Sequence, residues 1–528
     1  MIVSAPSGSI GAVNKSTVMV DPSKPERERR ELELKLEFDP AHLTAIEAHP
    51  VLAGLRLDRQ TLISVYYDTG DLALHKARVC LRVRNTGKGY MQTIKGMDGM
   101  AELFDRPEWE REIKGRDPNL GLAVGTPLEP LLKAGVGEAL RPLFQTSIER
   151  GIYQVTTNGS EIEVAVDRGA IETGQRQTPV HEVELELKGG DPADLFGLAR
   201  SLAATVPLRL AVKTKAERGY ELATNAAPGA EKATRLDLDG NLSCQPAFRA
   251  IAQNCLRQII VNERGVCAGD AQSLHQMRIG LRRLRAAIFA FERIVADSKR
   301  DRIKDELKWI TKELGPARDL DVFAADILQP MSVTDGDDGR FAETRRAFAN
   351  ARAKAYGAAA NSVRSERFRT VLLDVAEWIE AGPWTHDESL RKRREEKIVG
   401  HAAKLLSRGQ KRIREKGAEL RALDVKKRHK LRIRTKNLRY AVEFFAGVFP
   451  GEKNAERREA ALIALKELQD QLGALNDLAR REALAANGHD LGEHAHGLLT
   501  PKEADVDELL DRAQQAHADF AKVKSFWE

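Results

Sequence analysis

The residues best placed to do chemistry lie in Glu31-Leu32-Glu33-Leu34-Lys35-Leu36-Glu37, where charge and leucine alternate strictly. A period of two is the pattern of a β-strand with two unlike faces. One face here carries the carboxylates of Glu31, Glu33 and Glu37 and the ammonium of Lys35. Carboxylates two residues apart on such a face stand roughly 6.5–7 Å apart. A hard divalent cation could sit near both, directly or through water, and the lysine could meet an anion that the metal neutralises. A solvated strand of an antiparallel sheet would carry the same heptapeptide, so the rest of the chain has to decide.

The alternation recurs. Cys80-Leu81-Arg82-Val83-Arg84 puts Arg82 and Arg84 on one face, and after Gly87-Lys88-Gly89 the stretch Tyr90–Lys95 can return as its hairpin partner. Leu62–Asp68, Arg106–Glu110, Glu161–Asp167 and His181–Lys188 repeat the pattern, the last with Glu182, Glu184 and Glu186 opposite Val183, Leu185 and Leu187. Helices are expected near residues 40–54 and 191–204. The sum is about eight strands, each with one strongly charged face. If those faces met water, rows of glutamate and arginine would be harmless but purposeless. If they line a closed barrel whose apolar faces are covered by helices, they supply a basic lining for a polyanion and an acidic patch for its metal. Repetition across separate strands favours the barrel.

Glu31-x-Glu33-x-Lys35, Leu81–Arg84, Lys95, Arg106-x-Glu108-x-Glu110 and the Glu182–Leu187 run together resemble the CYTH domain of the triphosphate tunnel metalloenzymes. So do Arg150 after Thr146, an Asp167-Arg168-Gly169 turn, and Lys213-Thr214-Lys215 followed by Arg218-Gly219-Tyr220. The resemblance covers 29–222. It implies an α+β domain, an eight-stranded antiparallel β-tunnel with flanking helices, that binds a triphosphate with Mg2+ or Mn2+. By the same resemblance Lys35, Arg82, Arg84, Lys95, Arg150 and Lys213 or Lys215 would hold phosphate oxygens. Glu31, Glu33 and members of the set Glu182, Glu184 and Glu186 would hold the metal. Lys35, Glu110 and Asp167 would act in catalysis, with Glu108 a further acidic candidate, while Arg106 could equally pair with the glutamates of its own segment. The family includes inorganic triphosphatases, thiamine-triphosphatases, class IV adenylate cyclases and RNA triphosphatases. Neither an adenine pocket nor thiamine-stacking aromatics can be read here, and tripolyphosphate asks only for what the charged strands offer.

Residues 223–242, broken by Pro228, Gly229 and Gly240, read as a linker. Beyond it helical periodicity takes over and the chain repeats itself. His275, Arg278, Arg282 and Arg285 recur as His429, Arg432, Lys436 and Arg439, at steps of three, four and three that make one stripe along a helix. About 40 residues after each, Leu314-Gly315-Pro316-Ala317-Arg318-Asp319 answers to Leu472-Gly473-Ala474-Leu475-Asn476-Asp477. Between Lys426 and Tyr440 stand eight Lys and Arg and no acid. Such crowding of like charge weakens a helix, so the stripe looks made to meet a polyanion rather than water. The two histidines suit an anion contact or a capping role better than a metal. Asp319 and Asp477 could cap the following helix, fix an arginine or take part in chemistry.

The repeat resembles the CHAD domain, a pair of all-α four-helix bundles associated with inorganic polyphosphate, over 243–528 with copies at about 243–385 and 386–528. That implies a polyphosphate-binding surface of His275, Arg278, Arg282, Arg283, Arg285, His429, Arg432, Lys436 and Arg439. A helix at 388–416 with Arg391, Lys392, Arg408, Lys411 and Arg412 would extend it.

The whole composition agrees. At 528 residues the chain needs more than one core. Its 84 Lys and Arg against 78 Asp and Glu give a charge of only +6, while 31% of residues are charged and 5% aromatic. Few rings are left for stacking bases, which argues against nucleic acid, although backbone-only binding would not need them. The four cysteines show no framework or C-x-x-C spacing and read as reduced thiols of a cytoplasmic protein. No apolar run approaches the roughly 20 residues that span a bilayer. Residues 1–28 read as a disordered tail. The expected function is a Mg2+- or Mn2+-dependent triphosphatase cleaving tripolyphosphate to pyrophosphate and phosphate. Its helical half would bind polyphosphate and associate with polyphosphate granules. The alternatives are a non-catalytic polyphosphate binder, or a tunnel enzyme for an organic triphosphate such as thiamine triphosphate or a nucleotide. The sequence leaves the oligomeric state open.

Overall fold

The computed structural model describes residues 32–96, 108–226, 229–324, 339–486 and 503–528. Glu31 and Arg106 therefore lie outside the described residues. The first half is a single antiparallel sheet: β1 (Leu32–Glu37), β2 (Asp58–Asp68), β3 (Val79–Asn85), β4 (Tyr90–Gly96), β5 (Glu108–Ile113), β6 (Arg141–Thr157), β7 (Ser160–Thr173), β8 (Arg176–Gly189) and β9 (Arg209–Ala211), with the short helices α1 (Leu43–Glu47), α2 (Ala73–Lys76) and α3 (Glu129–Lys133) in its connections. The order is β5-β4-β3-β2-β6-β7-β8-β1-β9, which makes nine strands among the described residues rather than eight. β4 and β5 lie at one end of the ladder and β1 near the other. Yet Lys95 on β4 feels the charge of Glu33, and Glu108 on β5 feels that of Lys35. The sheet therefore curls until its two ends face each other.

Leucine at every second position explains which side faces out. Leu34, Leu36, Val164, Val166, Val183 and Leu185 are buried against the helix α4 (Pro192–Thr205), which offers Leu195, Phe196, Leu198, Ala199 and Leu202. Burying one such side chain is worth about 1.5–3 kcal/mol, so this face alone fixes the strand register. Asp191 caps α4 by accepting from the Ala193 amide at 2.8 Å. On the other wall Leu81, Val83, Ile94 and Tyr67 pack with Ala123 and Leu128. The charged faces are left to line the interior, as the alternation implies.

One end of that interior is apolar. The helix α5 (Lys215–Ala223) enters it, and Tyr66, Phe144, Ile148, Ile171 and Val180 pack around its Ala216 and Tyr220. Gly219 comes so close that a Cβ there would stand 2.0 Å from the Phe144 ring. The Asp167-Arg168-Gly169 turn of the sequence reading is instead the middle of β7. A Cβ on Gly169 would meet the Ser147 carbonyl at 2.0 Å, so this glycine serves close strand approach and not a reversal.

The presumed linker is a packed strap. Leu236 and Leu238 are buried, and Asn262 both donates to the Glu231 carbonyl and accepts from its amide. It leads into α6 (Cys244–Ile260), α7 (Glu263–Cys267), α8 (Ala271–Ala290), α9 (Arg300–Glu313), α10 (Gly315–Phe323), α11 (Gly339–Arg364) and α12 (Glu366–Ala381). After a short α13 (Arg391–Arg394) come α14 (Ile398–Gly417), α15 (Val425–Phe444), α16 (Glu452–Ala486) and α17 (Glu503–Ala521). The expected helix at 388–416 is thus interrupted, because Lys397 leaves it to bridge to Ser243. Helices α6, α8, α9 and α12 contact one another in a ring, and so do α14, α15, α16 and α17. The two bundles meet where α8 packs on α15. One apolar core runs without a break from the outer face of β1 and β8 through α4 into both bundles.

Candidate functional site

Register builds the tunnel lining. Glu33 stands opposite Glu186, Lys35 opposite Glu184 and Glu37 opposite Glu182. Asp167 lies opposite Glu182 and Arg150 opposite Asp167. Directly paired residues share a face, so these side chains crowd one wall. Arg150 forks onto Asp167, its Nε and Nη2 each 2.7 Å from a carboxylate oxygen, and also contacts Glu184. Lys215, from the first turn of α5, is 2.7 Å from Asp167 and 3.0 Å from Glu184 and also contacts Glu182. Oxygens of the buried Asp167, Glu182 and Glu184 lie within 4.8 Å of one another. Lys35 contacts Glu33 and stands 3.5 Å from Glu184.

These neighbours divide the carboxylates. Burial works against the charge of Glu184, but Lys215, Lys35 and Arg150 hold it well below the ordinary range. Burial pushes Glu182 up, against the pull of Lys215, with Glu184 adding to the push. Burial likewise opposes the charge of Lys35, and Glu33 and Glu184 raise its pKa nonetheless.

The facing wall is basic. Arg82 donates to Thr93 at 2.8 Å and to Glu110 at 3.2 Å. Lys95 pairs with Glu108, its partner across β4 and β5. Arg84 makes its hydrogen bond to a hydroxyl, Ser64, at 3.1 Å rather than to a carboxylate. Burial, with Arg82 and Arg150 nearby, pulls its pKa down to about 10. Burial and Arg82 lower Lys95 as well. Arg82 itself is raised, by Tyr66, Glu108 and Glu110 against its burial, so it is at Arg84 and Lys95 that an added negative charge would be most welcome. Three clustered carboxylates, with the Glu182 Oε2 accepting no hydrogen bond among the described residues, are the hard-oxygen donor set that a divalent cation requires.

The sequence reading is thus sorted. Lys35, Arg82, Arg84, Lys95, Arg150, Lys215, Glu33, Glu182 and Glu184 share the lumen. Asp167, expected to act in catalysis, lies in the carboxylate cluster with Glu182 and Glu184. Lys213 leaves the site to pair with Glu221 at 2.5 Å and with Glu231 of the strap. Glu186, on the same strand face, pairs with Lys188 and is not one of the trio. Glu110 and Glu108 stand at the basic wall as partners of Arg82 and Lys95. Arg218, to which the sequence pattern gives no role, also reaches the wall. It lies 3.6 Å from Glu182 and 4.0 Å from Glu37, and Glu37 was visible as the next beat of the β1 alternation.

In the helical half both stripes begin alike. Asp270 caps α8, five residues before His275, and Asp424 caps α15, five before His429. His275 is half-buried, and burial together with Arg318, Arg282 and Arg278 drops its pKa to about 4, so it is neutral. His429 is exposed, with Nδ1 2.9 Å from Asn476 Oδ1. Asn476 takes the place that Arg318 has in the first copy. Gly315 stands 3.8 Å from an Arg278 nitrogen and Gly473 3.9 Å from Arg432 Nε, where each would-be Cβ is measured. Each arginine thus lies at ordinary van der Waals distance from the helix that carries the glycine, and the buried Arg278 also donates to the Thr311 carbonyl at 2.8 Å. Arg285 is exposed, and Arg439 donates to Gln469 and Glu443. Lys436 lies near Arg282 of the other copy as well as Arg432, so the stripes converge.

Arg283 does not join them. It is buried, donating to Asn254 at 3.1 Å and Gln258 at 2.9 Å beneath the Phe444 ring. Asp319 and Asp477 lie inside α10 and α16 and cap neither. Arg408, Lys411 and Arg412 are exposed on α14, and Arg391 pairs with Glu395. No helix among the described residues is long and apolar enough to cross a membrane.

Comparison with known proteins agrees with both halves. Residues 29–220 match the model of the CYTH domain, and residues 250–486 match that of the CHAD domain. An inorganic triphosphatase of Haemophilus influenzae is 33% identical over 199 residues, 37% of this chain and 55% of that protein. The chain thus spans about half the length of that relative. An uncharacterized protein of Mycobacterium tuberculosis is 24% identical over 92% of this chain and 96% of its own. The crystal structure of the CHAD domain from the plant Ricinus communis is 27% identical, with a TM-score of 0.48, over 56% of this chain and 98% of that one. The chain thus carries a CYTH domain followed by a CHAD domain.

Proposed function

We propose that the protein is a divalent-metal-dependent inorganic triphosphatase that cleaves tripolyphosphate in its tunnel and binds polyphosphate on its helical half. The observation that carries this is the pairing of walls: Asp167, Glu182 and Glu184 clustered on one side, and Arg82, Arg84 and Lys95 gathered on the other. The relative from Haemophilus influenzae supports the reaction class. Asp167, Glu182 and Glu184, with Glu33 at their edge, would hold Mg2+ or Mn2+. Such an ion supplies charge neutralisation at phosphate oxygens and polarises the phosphoryl group under attack. Arg82, Arg84 and Lys95 bind the remaining oxygens, and Lys35 and Arg150 orient the chain of phosphates between the walls. Charge spreads over the terminal phosphoryl as the bond breaks, so cations fixed in advance lower the barrier without having to reorganise. On the helical half Arg278, Arg282, Arg432, Lys436 and Arg439 would meet the longer polymer, and granule association would follow from that binding.

The test is phosphate release from tripolyphosphate with Mg2+ or Mn2+. Glu33→Ala and Lys35→Ala should each lower kcat about a hundredfold or more. Absence of metal-dependent release by the unaltered protein overturns the reading.

A further inference from the structure

Helix α5 belongs by sequence to the tunnel domain, but its footing is shared. Thr214 and Glu217 form a capping box at its start: the Thr214 hydroxyl accepts from the Glu217 amide at 3.1 Å, and the Glu217 carboxylate accepts from the Thr214 amide at 2.8 Å. The other oxygen of that carboxylate accepts from Arg257 Nη2 at 2.6 Å. Arg257 lies on α6, the first helix of the helical half, and its Nη1 donates to the Val212 carbonyl at 2.8 Å. Lys215, the residue that reaches Asp167, Glu182 and Glu184, stands between the two members of that box. The far part of α5 is pinned within the tunnel domain, where the Tyr220 hydroxyl donates to the buried Asp68 at 3.0 Å. A second arm from the helical half runs alongside. Arg264 of α7 donates to Glu37 at 2.7 Å, and Arg218 spans Glu37 and Glu182.

We propose that Arg257 is a positioning residue of the tunnel: by gripping Glu217 it holds the start of α5 so that Lys215 stays among the three carboxylates. The cation geometry of the tunnel then depends on the docked helical half. The consequence for turnover rests on the function proposed above, whereas the placement of Lys215 does not. The Lys215 ammonium competes with any divalent cation for the trio and is also a fixed charge for phosphate. Loosening it should relieve the first effect and forfeit the second. A reduction in stability alone would weaken metal binding and turnover together.

The experiment uses the full chain with Arg257→Ala, Arg257→Lys and Glu217→Gln. Glutamine keeps an oxygen for the capping box and removes the charge that Arg257 meets, so it serves if the alanine variant does not fold. Mn2+ alone is titrated by electron paramagnetic resonance, and tripolyphosphate turnover is measured separately. Arg257→Ala or Glu217→Gln should bind Mn2+ about threefold tighter or more, as a competing charge withdraws. The same variants should lose about tenfold or more in kcat, because small displacements of a positioned group are costly. Arg257→Lys should recover most of both. Mn2+ affinity that is unchanged or weaker in both variants overturns the proposal. If the unaltered protein hydrolyses no tripolyphosphate, the triphosphatase reading fails and the Mn2+ titration still decides the role of Arg257.

Discussion

Lys436 lies where the two cationic stripes converge, beside Arg432, Arg282 and Arg439, with Asp477 as the opposing charge. Burial first, then these cations, lower its pKa from 10.5 to about 7. A polyphosphate laid along the stripe would supply the missing negative charge and return the pKa towards its ordinary value. Linkage then sets the magnitude. Above pH 7 each binding event has to take up a proton, so affinity falls by up to tenfold, about 1.4 kcal/mol, per pH unit. Between pH 7 and 9 this one side chain accounts for at most about a hundredfold. The sign for folding is the reverse. Because the folded pKa is depressed, the unfolded chain binds more protons between the two pKa values. The ligand-free protein therefore gains stability as pH rises through that window, and the contribution is lost as pH falls through 7. The assay is calorimetric affinity for polyphosphate of defined length at pH 7, 8 and 9, at fixed ionic strength because phosphate contacts are salt-dependent. Lys436→Arg keeps its charge throughout, so its affinity should fall less steeply than that of the unaltered protein. Equal slopes in the two proteins would refute the argument.

Two further outcomes separate binding from architecture in the helical half. Arg278→Ala combined with Arg432→Ala should abolish retention on polyphosphate while tripolyphosphate turnover persists; retained binding would remove the stripe from consideration. Arg283→Ala should leave polyphosphate retention intact but cost about 2–3 kcal/mol in denaturant unfolding, since Asn254 and Gln258 lose a buried charged donor. A variant as stable as its parent would contradict that placement.

Strands that carry charge at every second position announced themselves, because β1, β3 and β8 have an unlike residue on each face. The longest strand, β6, did not. Its inward residues Phe144, Thr146 and Ile148 line the end of the tunnel that α5 fills and carry no charge, while Gln145 and Glu149 face outward and are exposed, so the inward charge alternation is missing there. Whether Lys213 or Lys215 enters the lumen was equally hidden. Both flank Thr214, and only the turn into α5 sends the second inward and the first to the strap. Arg283 was misread because it follows Arg282 directly, which turns it about 100° round the helix and into the core. The paired stripes themselves were readable, because repetition at helical spacing needs no tertiary knowledge.

The unbroken apolar core has a practical consequence. Cutting the chain within 223–242 would bare the sides of α4 and β9 that meet α12 on one fragment, and the matching face of α12 on the other. Isolated halves would therefore report on newly wetted hydrophobic surface as much as on chemistry. Labour in this molecule is better apportioned by single side-chain changes in the intact chain than by dissection.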